Sequence, residues 1–367
     1  MKTTIITIYD PKPNYGNRLQ NYAVQFVLQK LGFQVETLAF EKVGIDVKTK
    51  IKYRIQKLFN FRLPGNRIYW ECYLPKQIAF CGFNEEYIVT KRVSGLNEVK
   101  QLKSDFFVLG SDQVWNPNWY NSCSYKKDMF LLTFASTEQK VCFSPSFGVA
   151  ELPTEWKDWF KENLSTISNI SVREEAGAKI IYKLTGKKVP VLIDPTLMLN
   201  KEEWKRIEKK PSTRVDLTAP YILTYFLGDI PTQAEQDIER ICEEKKLKVH
   251  HLMNYDDPAV YTSGPSEFIY LIDHASLILT DSFHACVFSF LFKKPFMAYA
   301  RDKVDGNMLS RLETLFSKFD LGRKFVKDGN PHNMDEIFEC NYSEGYSRLS
   351  LEREKVKNYL RQSLKLE

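Results

Sequence analysis

Between Ser276 and Phe290 a short apolar run, Ser276-Leu277-Ile278-Leu279, breaks at Thr280-Asp281-Ser282 and resumes as Phe283-His284-Ala285-Cys286-Val287-Phe288-Ser289-Phe290. The first run has the length and apolar character of a buried strand. The three short polar residues suit a helix N-terminus. The second run suits a helix packed on a sheet. A strand feeding a helix in this way belongs to a parallel sheet, whose strands are joined by crossovers. Ligands of such sheets bind beyond the carboxyl ends of the strands, where the free amides of a helix N-terminus attract phosphate or carboxylate. His284, about one turn into the helix, can look into that crevice and exchange a proton near neutral pH. A capped helix carrying a structural histidine would show the same local pattern, and from this stretch alone both readings stand.

The same unit recurs along the chain. Thr4 to Ile8 reads as a strand, Pro11 to Gly16 as a loop, Asn17 to Leu28 as a helix stopped by Gly32, and Gln34 to Phe40 as the next strand. In that loop-helix join Asn17, Gln20 and Asn21 offer amides to a sugar or phosphate, or Asn17 caps the helix; the pattern is not a GxGxxG. Asp105 to Leu109 runs into Gly110-Ser111-Asp112-Gln113-Val114-Trp115. Ser111, Asp112 and Gln113 bring a hydroxyl, a carboxylate and an amide there, and Trp115 a flat face for a sugar or for the core. Lys140 to Phe143 and Ile167 to Val172 are further strands, and Arg173 follows the latter at a join to a helix. Its guanidinium there binds an anion or pairs with Glu174 or Glu175. Val189 to Ile193 reads as one more strand. In the second half Tyr221 to Asp229, Lys248 to Met253 and Pro295 to Tyr299 repeat the pattern. Gly264-Pro265-Ser266-Glu267 caps a helix, and Ser310-Arg311 open another. At 367 residues the chain exceeds the size of one growing core. The expected architecture is α/β, two Rossmann-like domains facing across a cleft, 1–201 and 217–349. A charged linker from Glu202 to Asp216 joins them, and a last helix, 350–367, crosses back onto the first domain.

Composition narrows the partners. The chain is 43% hydrophobic and 14% aromatic, enough for real cores, and its net charge of +6 suits an anionic substrate or membrane surface without demanding nucleic acid. Seven cysteines, odd in number and without a CxxC pair, speak for a reducing compartment and against zinc. No metal site and no cofactor are expected. The first apolar run is too short for a signal peptide, and none approaches the ~20 residues of a membrane span, so a soluble cytoplasmic protein is expected. Residues 48–62 differ in character: Lys48, Lys50, Lys52, Arg54, Lys57 and Arg62 alternate with Ile51, Tyr53, Ile55, Leu58 and Phe59. Such a segment lies peripherally on the anionic inner face of a cell membrane, or packs on its own protein as a solvated helix.

Taken in order, several of these pieces resemble the polysaccharide pyruvyl transferase family. They are Gly16-Asn17 with Gln20-Asn21, Gly110 to Trp115, Ser146-Phe147-Gly148, Ser171 to Glu174, Asp194-Pro195-Thr196, Thr280 to His284 with Phe288-Ser289, and Asn307 with Ser310-Arg311. The resemblance implies a fold similar to two-domain GT-B type glycosyltransferases. It also implies transfer of the carbon skeleton of phosphoenolpyruvate onto a sugar of a surface polysaccharide or lipid-linked oligosaccharide, forming a pyruvate ketal. His284 matches the family's catalytic histidine and Arg173 a donor-binding arginine, and Asp281 or Asp112 would orient the ring or act as base. Ser282, Phe283, Arg311, Gly264 and Glu267 are the expected donor contacts. Asn17, Gln20, Asn21, Ser111, Asp112 and Trp115 are the expected acceptor contacts. One departure matters: many members carry an arginine two residues before the histidine, where this chain has Ser282. If that arginine holds the donor's phosphate or carboxylate, another cation must do so here, with Arg311 and Arg18 the candidates. Two other functions fit the residues: a glycosyltransferase holding a nucleotide ribose at Gly264 to Glu267, and a glycan-binding protein that has lost donor binding through Ser282.

Overall fold

The computed structural model describes residues 1–9, 12–40, 45–59, 67–120, 124–212, 216–301, 309–326 and 333–366. Asn307, Arg62 and the middle of the expected linker, 213–215, lie outside the described residues. Six strands form the first sheet: β1 (Lys2–Ile6), β2 (Gln34–Ala39), β3 (Thr90–Arg92), β4 (Phe106–Leu109), β5 (Lys140–Cys142) and β6 (Asn169–Ile170). Five form the second: β7 (Tyr221–Tyr225), β8 (Lys248–His251), β9 (Leu277–Thr280), β10 (Phe296–Tyr299) and β11 (Phe325–Val326). Every pairing between these strands is parallel.

The spatial orders are β3-β2-β1-β4-β5-β6 and β11-β10-β9-β7-β8. Both are doubly wound, so each sheet has one place where the winding reverses and leaves a crevice beyond the strand ends. In the first sheet that place is between β1 and β4, with Ile6 beside Leu109. In the second it is between β7 and β9, with Tyr225 beside Thr280. The result is the expected pair of Rossmann-like lobes, in a GT-B-like arrangement with the site between them. The edge strands β3 and β11 were not among the expected strands: Thr-Lys-Arg lacks apolar character, and Phe-Val is too short to stand out. Val189 to Ile193, expected as a strand, contributes only a single parallel bridge, Val191 to Val172.

The lobes share a core. Leu19 and Tyr22 of the helix Tyr15–Lys30 belong to one continuous buried cluster with Trp204, Phe268 and Phe288. Trp204, within the stretch expected as a charged linker, sits between Tyr22 (5.6 Å between rings) and Phe288 (4.9 Å) and packs into the interface. Tyr15, from the first lobe, stacks on Phe268 at 4.8 Å and donates to the Ser263 carbonyl at 2.7 Å in the second. An apolar interface of this kind holds two lobes in one arrangement, where a polar one would let them swing. The helix Ser343–Ser363 starts in the second lobe and reaches the first. There Arg353 donates to the Leu197 and Leu199 carbonyls at 2.7 and 2.8 Å, and Tyr359 to the Cys142 carbonyl at 2.7 Å. Among the described residues no helix is long and apolar enough to cross a membrane.

Candidate functional site

On the first lobe the strand ends are closed by their own side chains. Asn14 caps the helix Tyr15–Lys30, its side chain accepting from the Asn17 amide at 3.0 Å, so the cap falls three residues before Asn17. Asn17 instead donates to the Ile8 carbonyl at 2.6 Å and accepts from Arg18. Gln20 bridges the two central strand ends, donating to Thr7 Oγ1 at 2.9 Å and accepting from the Ser111 amide at 2.7 Å. Asn21 accepts from Thr37 Oγ1 at 2.8 Å, and Ser111 Oγ donates to the Ser144 carbonyl at 2.6 Å. Gly110 lies so close to the next strand that a Cβ would fall 2.0 Å from the Phe143 carbonyl oxygen. Trp115 is fully buried, with its ring 5.1 Å from Phe147 and its Nε1 donating to the Phe130 carbonyl. Of the six expected acceptor contacts, only Asp112 lines the cleft pocket. The other five are buried groups that meet the hydrogen-bonding needs of strand ends and loops.

His284 comes from the second lobe, at the start of the helix Phe283–Leu291, and its ring crosses to the first. A Cβ on Gly16 would stand 1.9 Å from its Nδ1, so the ring occupies the space that glycine leaves at the N-terminus of the first helix. Its Nε2 faces Asp194, 3.8 Å from Oδ2. The same Asp194 oxygen accepts from Arg173 at 2.6 Å, while Oδ1 accepts from the Thr196 amide and hydroxyl at 2.9 and 2.6 Å. Arg173 lies 3.8 Å from Asp112 and its guanidinium stands 4.7 Å from the Phe283 ring centre, a cation over an aromatic face.

Burial sets the charges. It lowers the His284 pKa below its usual value; Arg173 and Arg311 push the same way, and Asp194 and Asp112 offset only part. For Asp194 burial acts upward, yet Arg173, His284 and the Thr196 bonds outweigh it and hold the carboxyl below its ordinary range. For Arg173 burial acts downward, and Asp194, Asp112 and Glu174 more than restore it. The free site therefore holds a firmly ionised Arg173–Asp194 pair beside a neutral imidazole.

A pocket opens beside this ring, lined by Gly16, Asp112, Asp281, Ser282, Arg301 and Arg311 among others. Asp281 accepts from the Leu227 and Gly228 amides at 2.8 and 3.3 Å and from Arg301 Nε at 2.5 Å. Its carboxylate thus holds Arg301, and the carboxylate at the imidazole is Asp194. Arg311 is buried, and its guanidinium is pulled down to about 10 by burial and by Arg173. With the Gln113 amide oxygen turned toward it, both Nη atoms donate at 3.0 Å. Arg18, the other candidate cation, is buried with its guanidinium 5.2 Å from the Tyr9 ring and does not line the pocket. Gly264 and Glu267 are engaged with each other, the Gly264 amide donating to the Glu267 carboxylate at 3.0 Å, and neither lines the pocket. One acid-histidine group, Glu208, Asp273 and His274, has metal-ligand spacing among the described residues, but Lys201 and Lys205 already hold Asp273 at 2.6 and 2.9 Å.

Three participants were not picked out as site residues from the sequence: Gly16, Asp194 and Arg301. The first two stood within the quoted motifs, Gly16-Asn17 and Asp194-Pro195-Thr196. Arg301 carried no local signal beyond its place just after a strand.

These features define a class: a two-lobed α/β protein whose cleft gathers guanidinium groups around a single histidine. The sequence model of the polysaccharide pyruvyl transferase family matches residues 14–303, and the chain belongs to that family. No curated protein matches it. Among solved structures it is similar to the UDP-GlcNAc 2-epimerase of Neisseria meningitidis, at 12% identity and a TM-score of 0.45 over 99% of this chain and 94% of that one. The UDP-GlcNAc 2-epimerase of Methanocaldococcus jannaschii matches at 14% identity and a TM-score of 0.47, over 95% and 92% of the two chains. A glycosyltransferase from Rickettsia africae matches at 13% identity and a TM-score of 0.45, over the full length of both.

Proposed function

We propose that this transferase moves the pyruvyl group of phosphoenolpyruvate onto a sugar of a surface polysaccharide or lipid-linked oligosaccharide, closing a pyruvate ketal. What carries the reading is one juxtaposition: a buried imidazole beside a pocket lined by Arg301 and Arg311, with Arg173 against its Asp194 partner. Phosphoenolpyruvate brings a carboxylate and a phosphate into one small volume, and guanidinium groups and a helix N-terminus offset both. The imidazole is neutral in the free site; negative charge arriving beside it favours the imidazolium, so the donor charges its own acid.

His284 then gives its proton to the methylene carbon, which becomes a methyl group. The neighbouring carbon takes on oxocarbenium character, and a sugar hydroxyl adds to it and loses its proton. The first hydroxyl's proton returns to His284; the C–O bond to phosphate breaks with its electron pair going to phosphate, and a second hydroxyl of the sugar adds to the oxocarbenium carbon so exposed, closing the ring and giving its proton to the departing phosphate. Asp194, 3.8 Å from Nε2, favours the protonated ring by its charge. The test is phosphate release from phosphoenolpyruvate with candidate lipid-linked oligosaccharides and no nucleotide sugar, with the product ketal detected by mass spectrometry. Turnover that requires a nucleotide sugar would overturn this reading in favour of glycosyl transfer.

A lipid-linked acceptor also accounts for the helix Val47–Phe59. Its apolar residues Val47, Ile51, Ile55 and Leu58 are exposed, Leu58 at 77%, rather than packed on the protein. Basic neighbours and an outward apolar stripe together suit an anionic bilayer surface. Co-sedimentation with vesicles containing anionic lipid, but not with neutral vesicles, is the expected result. Equal behaviour with both would remove the membrane from the proposal.

A further inference from the structure

Two residues before His284 stands Ser282, and the structure shows a cation on the neighbouring strand. Strands β9 and β10 pair in parallel with Phe296 beside Ile278, Met297 beside Leu279 and Ala298 beside Thr280. Continued in the same register, Ala300 falls beside Ser282, and Arg301 follows one residue on. Neighbouring strands lie about 4.8 Å apart, well within the reach of an arginine side chain. Arg301 enters the same pocket as Ser282 and His284.

Its placement is braced from two directions. Asp281 accepts from Arg301 Nε at 2.5 Å, and Asp281 is itself fixed by the Leu227 and Gly228 amides at the end of β7. A bond through Nε fixes the plane of the guanidinium fork, the geometry that suits a phosphate. Across the pocket Arg311 adds a second guanidinium, buried, with its Nε lacking a hydrogen-bond partner among the described residues. Ser282, the N-cap of the His284 helix, lines the pocket with them and brings the positive end of that helix.

We infer that the phosphate subsite of this chain is built by Arg301 and Arg311 around Ser282, with Asp281 as the residue that positions Arg301. The cation that faces the turn after β9 comes from the end of β10, and the small Ser282 side chain leaves room for the phosphate between the two guanidinium groups. This rests on the donor reading above, and it adds the groups that hold the leaving phosphate while Arg173 and Asp194 frame the imidazole.

Isothermal titration of the full chain with inorganic phosphate, phosphoenolpyruvate and pyruvate separates the two ideas. Arg301→Ala should weaken phosphate and phosphoenolpyruvate by about 10- to 100-fold, the range for charge-assisted bidentate contacts, and leave pyruvate within twofold. Arg301→Lys, which keeps the charge and loses the fork, should fall between. Ser282→Arg placed on Arg301→Ala should recover most of the affinity for phosphate, by supplying a cation from the neighbouring strand. Thermal melts of each variant confirm that the fold persists. Phosphoenolpyruvate bound equally well by wild type and Arg301→Ala would sink the subsite while leaving the donor reading standing. Phosphate bound through Arg301 with no affinity for phosphoenolpyruvate would do the reverse. Absence of binding by either compound to the wild type would end both.

Discussion

The two sheets meet the cleft with ends of opposite character. On the first lobe, Gln20, Asn21, Ser111 and Asp194 are all buried and hydrogen-bonded to neighbouring loops and strands, so the strand ends are sealed. On the second lobe, Ser282, His284 and Arg301 line an open pocket, to which the first lobe adds Gly16 and Asp112. The same topological crevice is filled by scaffold hydrogen bonds in one case and opens into a pocket in the other. The difference teaches why the polar residues of the first lobe look like a binding site in sequence. Buried strand ends need as many hydrogen-bonding groups as a ligand does, and the residue types are the same.

The sharpest way to break this contrast is at the open side. His284→Ala should lower phosphate release from phosphoenolpyruvate by about 10²- to 10⁴-fold, the usual worth of a positioned acid, with little change in melting temperature. A variant of near wild-type rate would remove the imidazole from the chemistry. At the sealed side the main effect should instead be on stability. Asp194→Ala leaves the buried Arg173 guanidinium without its 2.6 Å partner, a loss of about 3–5 kcal/mol for a broken buried pair. Denaturant unfolding would measure it, and a stability equal to wild type would show that the first lobe is not held together in this way.

Gly16 lies where the two sides touch. In Gly16→Ala the new Cβ would meet His284 Nδ1 at 1.9 Å, so the ring must turn out of place. A rate loss of about 10- to 100-fold is expected for a misplaced catalytic group, with the variant still folded. Unchanged kinetics would mean that the ring has another productive position.

The smallest effect is a pH dependence. Because the His284 pKa is lowered in the free enzyme, the protonated acid becomes scarcer as pH rises through neutrality. The kcat/KM for phosphoenolpyruvate should therefore fall as pH rises, by about tenfold per unit above the pKa of the acid. Donor binding raises that pKa, so the fall in kcat should begin at higher pH than the fall in kcat/KM. A kcat/KM that is flat from pH 6 to 8 would contradict a lowered histidine acid.

Much of the frame was legible in the chain because the signals are local. Apolar runs such as Leu277 to Thr280 and Tyr221 to Tyr225 make strands, Gly32 stops a helix, and Thr280 to Ser282 mark a strand end. Strands β3 and β11 escaped because Thr-Lys-Arg carries no apolar pattern and two residues, Phe-Val, are too few to show one. Trp204 escaped because its surroundings are charged, while its ring reaches across to Tyr22 and Phe288 of two different lobes. Within the site, His284 and Arg173 stood out by residue type and position, whereas Arg301 did not.

What the amino-acid order determined by itself is the punctuation: where strands end, where helices begin, and which polar residues stand at those joins. What only the tertiary structure decided is the direction each of those residues faces. Asp194 stands 3.8 Å from His284 although 90 residues separate them in the chain, and Arg301 stands beside Ser282 through a strand pairing. Such partners are chosen by the register and docking of whole elements. Sequence neighbours along one segment do not encode them.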